Sequence, residues 1–190
     1  KKILVYREVE PLYRHSFLAK YYVYNREYRE LMPLAEEGKQ QVPKFSPNSQ
    51  MIAYVRNNNI HLKKLRFGTT SAVTKDGAEN KIINGAPDWV YEEEFSFTKG
   101  FYWSPEGDHL AFYRFDESDV NMFQMTVYQD KLYPVEEKFK YPKAGEDNSI
   151  VSIHVYDLKE KDTKTMDVGE ETDQYIPRIK WTNTNHLLAI

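Results

Sequence analysis

A hairpin pattern that occurs three times constrains the fold more than any other feature of this sequence. In each copy an aromatic residue ends one strand, a turn of Ser, Pro, Asn, Thr or Gly type follows, and an aliphatic strand comes next. The copies cover 44–56, 102–114 and 180–190, and the third is the shortest. Proline fixes φ at one central position of such a turn, and Gly or Asn tolerates a left-handed one. The sequence therefore predicts three antiparallel hairpins.

The segments that follow the first two hairpins extend the β pattern. Residues 59–65 and 150–158 alternate polar and apolar side chains with a two-residue period, as half-buried strands do. The 15 Tyr and 10 Phe residues also suit a pleated surface. Groups of about four antiparallel strands are the blades of a β-propeller, and one blade cannot bury both of its faces. We expect an all-β chain that forms about three neighbouring blades of a larger ring.

The three hairpins start farther apart than the roughly 40–50 residues of common propeller blades, so additional segments must be inserted between strands. One insertion runs from Asn121 to Lys143 and contains Pro134 and Pro142. Proline cannot donate to a sheet ladder, so this insertion cannot be a buried central strand. We interpret it as an arm that leaves the sheet. The other insertion precedes Phe101 and carries an acidic stretch.

The acidic stretch covers 88–94 and predicts a short helical turn. Pro87 presets φ, and Asp88 is a good N-cap whose oxygen can accept from the amide of Tyr91. Trp89 and Tyr91 would anchor the turn in a core. Three glutamates then follow in a row, at 92–94.

The residues alone leave three interpretations of these acids open. They could form a solvated face, as most acidic runs do. They could hold a divalent cation, although calcium loops usually stagger their ligands. They could also form a clamp for an ammonium group, with Glu93 and Glu94 approaching one cation from two sides because adjacent helical residues diverge by about 100°. Residues 13–24 read as one long strand or two joined by a bend, and Arg14, near the start, is by itself a surface arginine or half of an ion pair.

Several function classes do not fit the sequence. A net charge of −3 provides no basic footprint for nucleic acid. No apolar run approaches the roughly 20 residues needed to span a bilayer, and the absence of cysteine rules out disulfides. The five histidines are scattered, so we expect no metal site and no cofactor. No Gly-x-Ser-x-Gly, His-Glu-x-x-His or phosphate-binding glycine loop is present, so we expect no catalytic residue here.

The order of motifs resembles one known family over essentially the whole chain. Residues 84–94 resemble the double-glutamate motif in the β-propeller of the dipeptidyl peptidase IV family, and 103–107 resemble the hairpin that follows it. Residues 141–145 resemble the segment after that family's propeller arm. Arg14, with His15 and Ser16, resembles the family's carbonyl-binding arginine.

This resemblance implies a serine exopeptidase that removes N-terminal dipeptides with Pro or Ala in second position. Residues 1–190 would be a segment of its N-terminal propeller, an eight-bladed ring, and the α/β-hydrolase domain with the catalytic triad would lie outside the chain. Glu93 and Glu94 would bind the α-ammonium group of a peptide with a free N-terminus, and Arg14 would contact its carbonyl oxygen. The isolated segment would be inactive.

The resemblance also implies partners and a compartment. The arm from Asn121 to Lys143 would take part in homodimer formation, and the C-terminal hydrolase domain would contact the propeller. A bacterial protein in the periplasm or outside the cell is expected. Two alternatives remain at this point: a tripeptidyl peptidase of the same superfamily, and a non-enzymatic propeller that only binds partners.

Overall fold

The structure is a computed structural model that describes residues 1–128, 132–183 and 187–190. Within these ranges it contains sixteen β-strands and one α-helix. The elements in chain order are β1 (Lys2–Pro11), β2 (Phe17–Asn25), β3 (Glu30–Pro33), β4 (Gln41–Phe45), β5 (Met51–Arg56), β6 (Asn59–Lys64), β7 (Thr69–Ala72), β8 (Ile82–Asn84), α1 (Trp89–Phe95), β9 (Phe101–Trp103), β10 (His109–Asp116), β11 (Met122–Val127), β12 (Val135–Lys140), β13 (Ile150–Asp157), β14 (Asp162–Thr165), β15 (Lys180–Trp181) and β16 (Leu188–Ala189).

The strands form three larger antiparallel sheets and two small ones. The first sheet has the order β1-β2-β3, and the second has the order β4-β5-β6-β7. The third has the order β14-β13-β10-β8, with β9 paired to β10. Strands β11 and β12 pair only with each other, as do β15 and β16. The predicted all-β fold, a partial β-propeller with one short helix, is confirmed.

The predicted hairpin repeat has the same hydrogen bonds in its first two copies. The Ser46 amide donates to the Met51 carbonyl at 2.9 Å, and the Met51 amide donates back to Ser46 Oγ at 3.0 Å. Ser104 and His109 make the equivalent pair of bonds, both at 3.0 Å. In the third copy Lys180 pairs with Ala189, while 184–186 lie outside the described residues. The serine of each complete turn thus closes its own hairpin.

The core lies between sheets rather than on one face of a single sheet. Alternate residues of β5 point to its two sides, and both sides are buried. Ile52 and Tyr54 belong to a cluster shared with the first sheet, which includes Ala19 and Leu34. Ala53 and Val55 belong to the larger cluster shared with the third sheet. A middle sheet buried on both faces is what stacked blades require, because one blade cannot cover itself.

The prediction that residues 13–24 form one long strand or two joined by a bend is partly wrong. Strand β2 begins at Phe17, and residues 12–16 form a loop instead. The Leu12 amide donates to the Ser16 carbonyl at 2.9 Å, which closes this loop. Arg14 therefore lies in the loop between β1 and β2 and is not part of a β-sheet.

The arm and the acidic turn lie where they were predicted. β11 and β12 form a two-stranded sheet that is separate from the blades, with 129–131 outside the described residues. Helix α1 follows β8 and precedes β9, so the acidic turn is inserted beside the third sheet. No helix in the described ranges is long and apolar enough to cross a membrane.

Gly85 offers a test of how tightly the second and third sheets pack ahead of α1. It has a φ of +77°, and a Cβ there would lie 2.6 Å from Cγ1 of Ile60. Gly68 has a similar φ of +67° but nothing within 4 Å of its Cβ position. Both alanine substitutions meet backbone strain, and only Gly85→Ala adds overpacking, which typically costs about 1–3 kcal/mol.

We expect Gly85→Ala to lower the melting temperature of the full-length protein clearly more than the control Gly68→Ala. Thermal denaturation followed by circular dichroism or calorimetry measures both. Equal shifts for the two variants would mean that close packing on Ile60 is not what requires glycine at this position.

Candidate functional site

Helix α1 begins at a buried aspartate. Asp88 Oδ1 accepts from the Tyr91 amide at 2.9 Å, as predicted for an N-cap. Its other oxygen, Oδ2, accepts from Ser149 Oγ at 2.6 Å. Burial raises the pKa of Asp88, and these two hydrogen bonds oppose that rise. The cap therefore both starts the helix and ties it to the segment before β13.

Tyr91 anchors the helix in the larger core. Its ring is 1% exposed and packs edge-on against Phe95 and Phe115, with centroids 4.9 Å away in each case. Its hydroxyl accepts from the amide of Ile176 at 2.9 Å. Burial raises the pKa of Tyr91 to about 12, so the hydroxyl stays protonated. The prediction that Tyr91 anchors the turn is confirmed.

The three consecutive glutamates have three different environments. Glu92 is 1% exposed, Glu93 is half-buried and Glu94 is exposed. The difference follows from helix geometry, because each residue is rotated by about 100° from the previous one. Glu92 lies one turn after Asp88 and therefore faces the same buried side.

Glu93 forms an ion pair with Arg14, the arginine singled out from the sequence. Arg14 Nε donates to Glu93 Oε2 at 2.9 Å, which joins loop 12–16 to α1. The side chain of Arg14 is 67% exposed and that of Glu93 is 26% exposed. The bond raises the pKa of the Arg14 guanidinium, which stays charged. An ion pair this exposed adds little stability.

Glu94 lies on a neighbouring face of α1. It lines a groove of about 540 Å³ together with Trp89, Val90 and Tyr141. Within the described ranges Glu94 has no ion pair to another side chain. The structure thus brings Arg14 and Glu93 together, while the joint use of Glu93 and Glu94 on one cation stays a prediction.

Glu92 is a site residue that the sequence reasoning did not identify. Its Oε1 accepts from the amides of His15 and Ser16, at 2.7 and 2.9 Å. The signal that could have found it is the spacing from Asp88, since residues four apart share a helix face. Its partners, in contrast, lie 77 and 76 positions away in sequence.

The base of the arm contacts both parts of the site. Trp89 of α1 packs edge-on against Tyr141 at 4.6 Å between centroids and stacks with Phe139 at 6.3 Å. Tyr13, next to Arg14, packs against the same Phe139 at 6.4 Å. Trp89 is half-buried, so its predicted anchoring role is met through the arm rather than the main core. The arm therefore supports the helix and the arginine loop together.

A buried acidic group lies beneath these elements. Burial raises the pKa of Glu117 to about 7, and nearby Asp88 adds to the rise while Lys140 opposes it. Burial also raises the pKa of Tyr13, with the charges of Glu117, Asp88 and Glu92 contributing. Across the described ranges no group of three or more His, Cys, Asp or Glu side chains could hold a metal ion.

Glu117 predicts a pH dependence of stability. Its folded-state pKa of about 7 lies above the ordinary value of 4.5, so the folded protein binds more protons between these pH values than the unfolded chain does. Its contribution to stability is therefore lost as the pH rises from about 4.5 to about 7, by up to ~3 kcal/mol.

We expect Glu117→Gln to raise the melting temperature of the full-length protein at pH 8, because glutamine cannot ionise, and to change it little at pH 4.5. Glu27→Gln, in the exposed turn between β2 and β3, is the control and should change neither value. Thermal melts at the two pH values measure the effect, and a Glu117→Gln protein no more stable than wild type at pH 8 would contradict it.

Comparisons with known proteins agree with this architecture. The family described as the dipeptidyl peptidase IV (DPP IV) N-terminal region matches residues 1–190. Proteins named probable dipeptidyl-aminopeptidase B from Talaromyces stipitatus and Emericella nidulans are 33% and 36% identical to the whole chain, which covers 23% of each.

Solved structures give the same result. The crystal structure of Porphyromonas gingivalis dipeptidyl peptidase 4 matches with a TM-score of 0.92 and 46% identity, over 98% of this chain and 27% of that one. A putative dipeptidyl aminopeptidase IV from Bacteroides ovatus matches with a TM-score of 0.68 and 26% identity, over 91% of this chain and 24% of that one. The chain spans about a quarter of the length of these relatives, and it belongs to the family of dipeptidyl peptidase IV N-terminal regions.

Proposed function

We propose that this chain is the substrate-recognition part of a serine exopeptidase that releases N-terminal dipeptides. In this proposal Glu93 and Glu94 bind the α-ammonium group of the substrate, and Arg14 contacts a substrate carbonyl oxygen. The observation that carries the proposal is the 2.9 Å bond between Arg14 and Glu93, which joins a cationic and an anionic group from distant segments at one accessible position.

The arrangement suits the N-terminal end of a peptide. An N-terminal peptide unit presents an ammonium group and, close by, a carbonyl oxygen. Within the part of the chain that the structure describes, Arg14 bonds to Glu93 Oε2 through Nε alone, which leaves its terminal nitrogens as donors and Glu93 Oε1 as an acceptor. Charge-assisted hydrogen bonds of this kind are each worth about 1.5–3 kcal/mol.

Glu94 supplies the second carboxylate from an exposed position next to a groove. A bound ammonium group would give Glu94 a partner and Glu93 a second one beside Arg14, whereas a substrate without a free amine would leave Glu94 unpaired. Such a loss of pairing rejects the wrong ligand, as expected for specificity by unpaired polar groups. A fixed anchor for the N-terminus then sets which peptide bond reaches a nucleophile.

The catalytic residues would come from outside the chain, in the C-terminal α/β-hydrolase domain. The relatives are named dipeptidyl peptidases and are about four times longer, which supports a peptidase parent with a further domain. We also propose a preference for Pro or Ala in second position, and that the isolated segment is inactive. A periplasmic or secreted bacterial location belongs to the same proposal.

The arm is proposed to form a homodimer contact. Its described residues include apolar side chains that are strongly exposed: Met122, Met125, Tyr128, Leu132 and Tyr133. Exposed apolar side chains that cluster on one projecting element are typical of protein interfaces. The same arm supports Trp89 and Tyr13, so a contact there would lie close to the recognition residues.

We expect Glu93→Gln and Glu94→Gln each to lower kcat/KM of the full-length protein on a dipeptide-releasing substrate by about 2 kcal/mol or more, roughly thirtyfold. The reason is that a neutral amide pairs weakly with an ammonium group. Steady-state kinetics on a chromogenic Xaa-Pro substrate measures the loss, with Glu27→Gln as an exposed control that should leave it unchanged.

An N-acetylated version of the same substrate gives the contradicting outcome. It carries no ammonium group, so wild type should cleave it at least about a hundredfold more slowly. Cleavage at the same rate as the free peptide would rule out the ammonium role. Release of tripeptides instead of dipeptides would favour a tripeptidyl peptidase, and no cleavage of either would favour a non-enzymatic binding module.

A further inference from the structure

Glu92 is a buried acid whose carboxylate is directed at a neighbouring backbone segment. It is 1% exposed, and its Oε1 accepts the amides of two consecutive residues, His15 and Ser16, at 2.7 and 2.9 Å. Its Oε2 is buried and has no hydrogen-bond partner among the described residues. Among the described residues, this carboxylate therefore forms hydrogen bonds only with loop 12–16.

This bonding makes the carboxylate selective for one loop conformation. Burying an anion is costly unless donors surround it. The described hydrogen-bond donors to Glu92 are the two loop amides, so any conformation that withdraws them leaves a buried charge without compensation. The loop is consequently held against α1, because moving its amides away would leave the Glu92 carboxylate buried without hydrogen bonds.

Arg14 lies between the points at which the loop is held. On one side, the Tyr13 ring packs on Phe139 of the arm. On the other side, the amides of His15 and Ser16 bond to Glu92. The side chain of Arg14 itself is 67% exposed and bonds to Glu93 through Nε. An exposed ion pair is too weak to order a loop, so the backbone on each side must place the guanidinium group.

We propose that Glu92 is a positioning residue that sets Arg14 in its place beside Glu93 by holding the His15 and Ser16 amides. Glu92 makes no contact with substrate in this role. The first two glutamates of the triplet then divide the work: Glu92 orients the arginine loop, and Glu93 meets the arginine side chain. This inference rests on the proposed recognition role of Arg14 and Glu93.

Two conservative substitutions of Glu92 separate the effect of side-chain length from the effect of charge. Glu92→Gln keeps the length of the side chain and an Oε1 that can accept both amides, but removes the charge. Glu92→Asp keeps the charge but is shorter by one methylene, so it cannot hold bonds of 2.7 and 2.9 Å without moving the loop or the helix. Charge strengthens the bonds to the loop amides, but a side chain that does not reach the amides cannot form them, so we expect loss of length to cost more than loss of charge.

We expect kcat/KM of the full-length protein to fall at least about tenfold in Glu92→Asp and to stay within about threefold of wild type in Glu92→Gln. In an Arg14→Ala background, Glu92→Asp should cost less than about twofold further, because its effect passes through Arg14. Full additivity of Glu92→Asp and Arg14→Ala would overturn the proposal, as would a larger loss in Glu92→Gln than in Glu92→Asp.

Hydrogen exchange tests the same contact without relying on activity. In the full-length protein, a peptide that covers 12–17 should exchange faster in Glu92→Asp than in wild type, and Glu92→Gln should keep the wild-type protection. Unchanged exchange in Glu92→Asp would overturn the positioning role even if Glu93→Gln abolishes activity. Faster exchange in Glu92→Asp together with an active Glu93→Gln protein would support the loop contact but contradict the proposed recognition function.

Discussion

The bonds from two loop amides to the buried carboxylate of Glu92 are the interaction on which the rest of this site depends. They join the loop between β1 and β2, in the first sheet, to a helix inserted beside the third sheet. An anion in such a position requires donors, and the described donors are amides from the distant segment. A carboxylate that would otherwise destabilise the core thus joins two separate parts of the chain.

The acidic triplet shows how helix rotation converts one repeated residue into different chemical groups. Successive side chains turn by about 100°, so the same carboxylate is buried at Glu92, half-buried at Glu93 and exposed at Glu94. Burial decides what each can do. The first can only accept from backbone, the second pairs with a cation from another segment, and the third lies beside a groove.

Features controlled by local chemistry could be predicted from the sequence. The Ser-Pro turns, the Asp88 cap and the arm follow from short-range rules, and each is present in the structure. Partners that come from distant segments could not be predicted, because periodicity carries no information about what a buried side chain meets. Ser149 at the cap and Ile176 on Tyr91 are examples.

The same limit explains the incomplete prediction of the site itself. The resemblance placed Arg14 and the glutamates at the same substrate, whereas the residues alone left several interpretations of each open. The strand pattern was assigned to begin at Tyr13, which placed Arg14 at a strand start, because the aromatic content over 13–24 satisfied β propensity without revealing a loop. That loop is shaped by Glu92, and a local pattern contains no trace of an acceptor that lies 76 or 77 positions along the chain.

Helix α1 is seven residues long, too short to persist by itself in water. Its cap, its central tyrosine and its buried glutamate bond to three separate stretches of chain, at Ser149, Ile176 and His15. No small local fluctuation can release the helix while those stretches stay folded. The lifetime of this helix and its contacts should therefore equal the lifetime of the sheets around it, so that heat disrupts both in a single event.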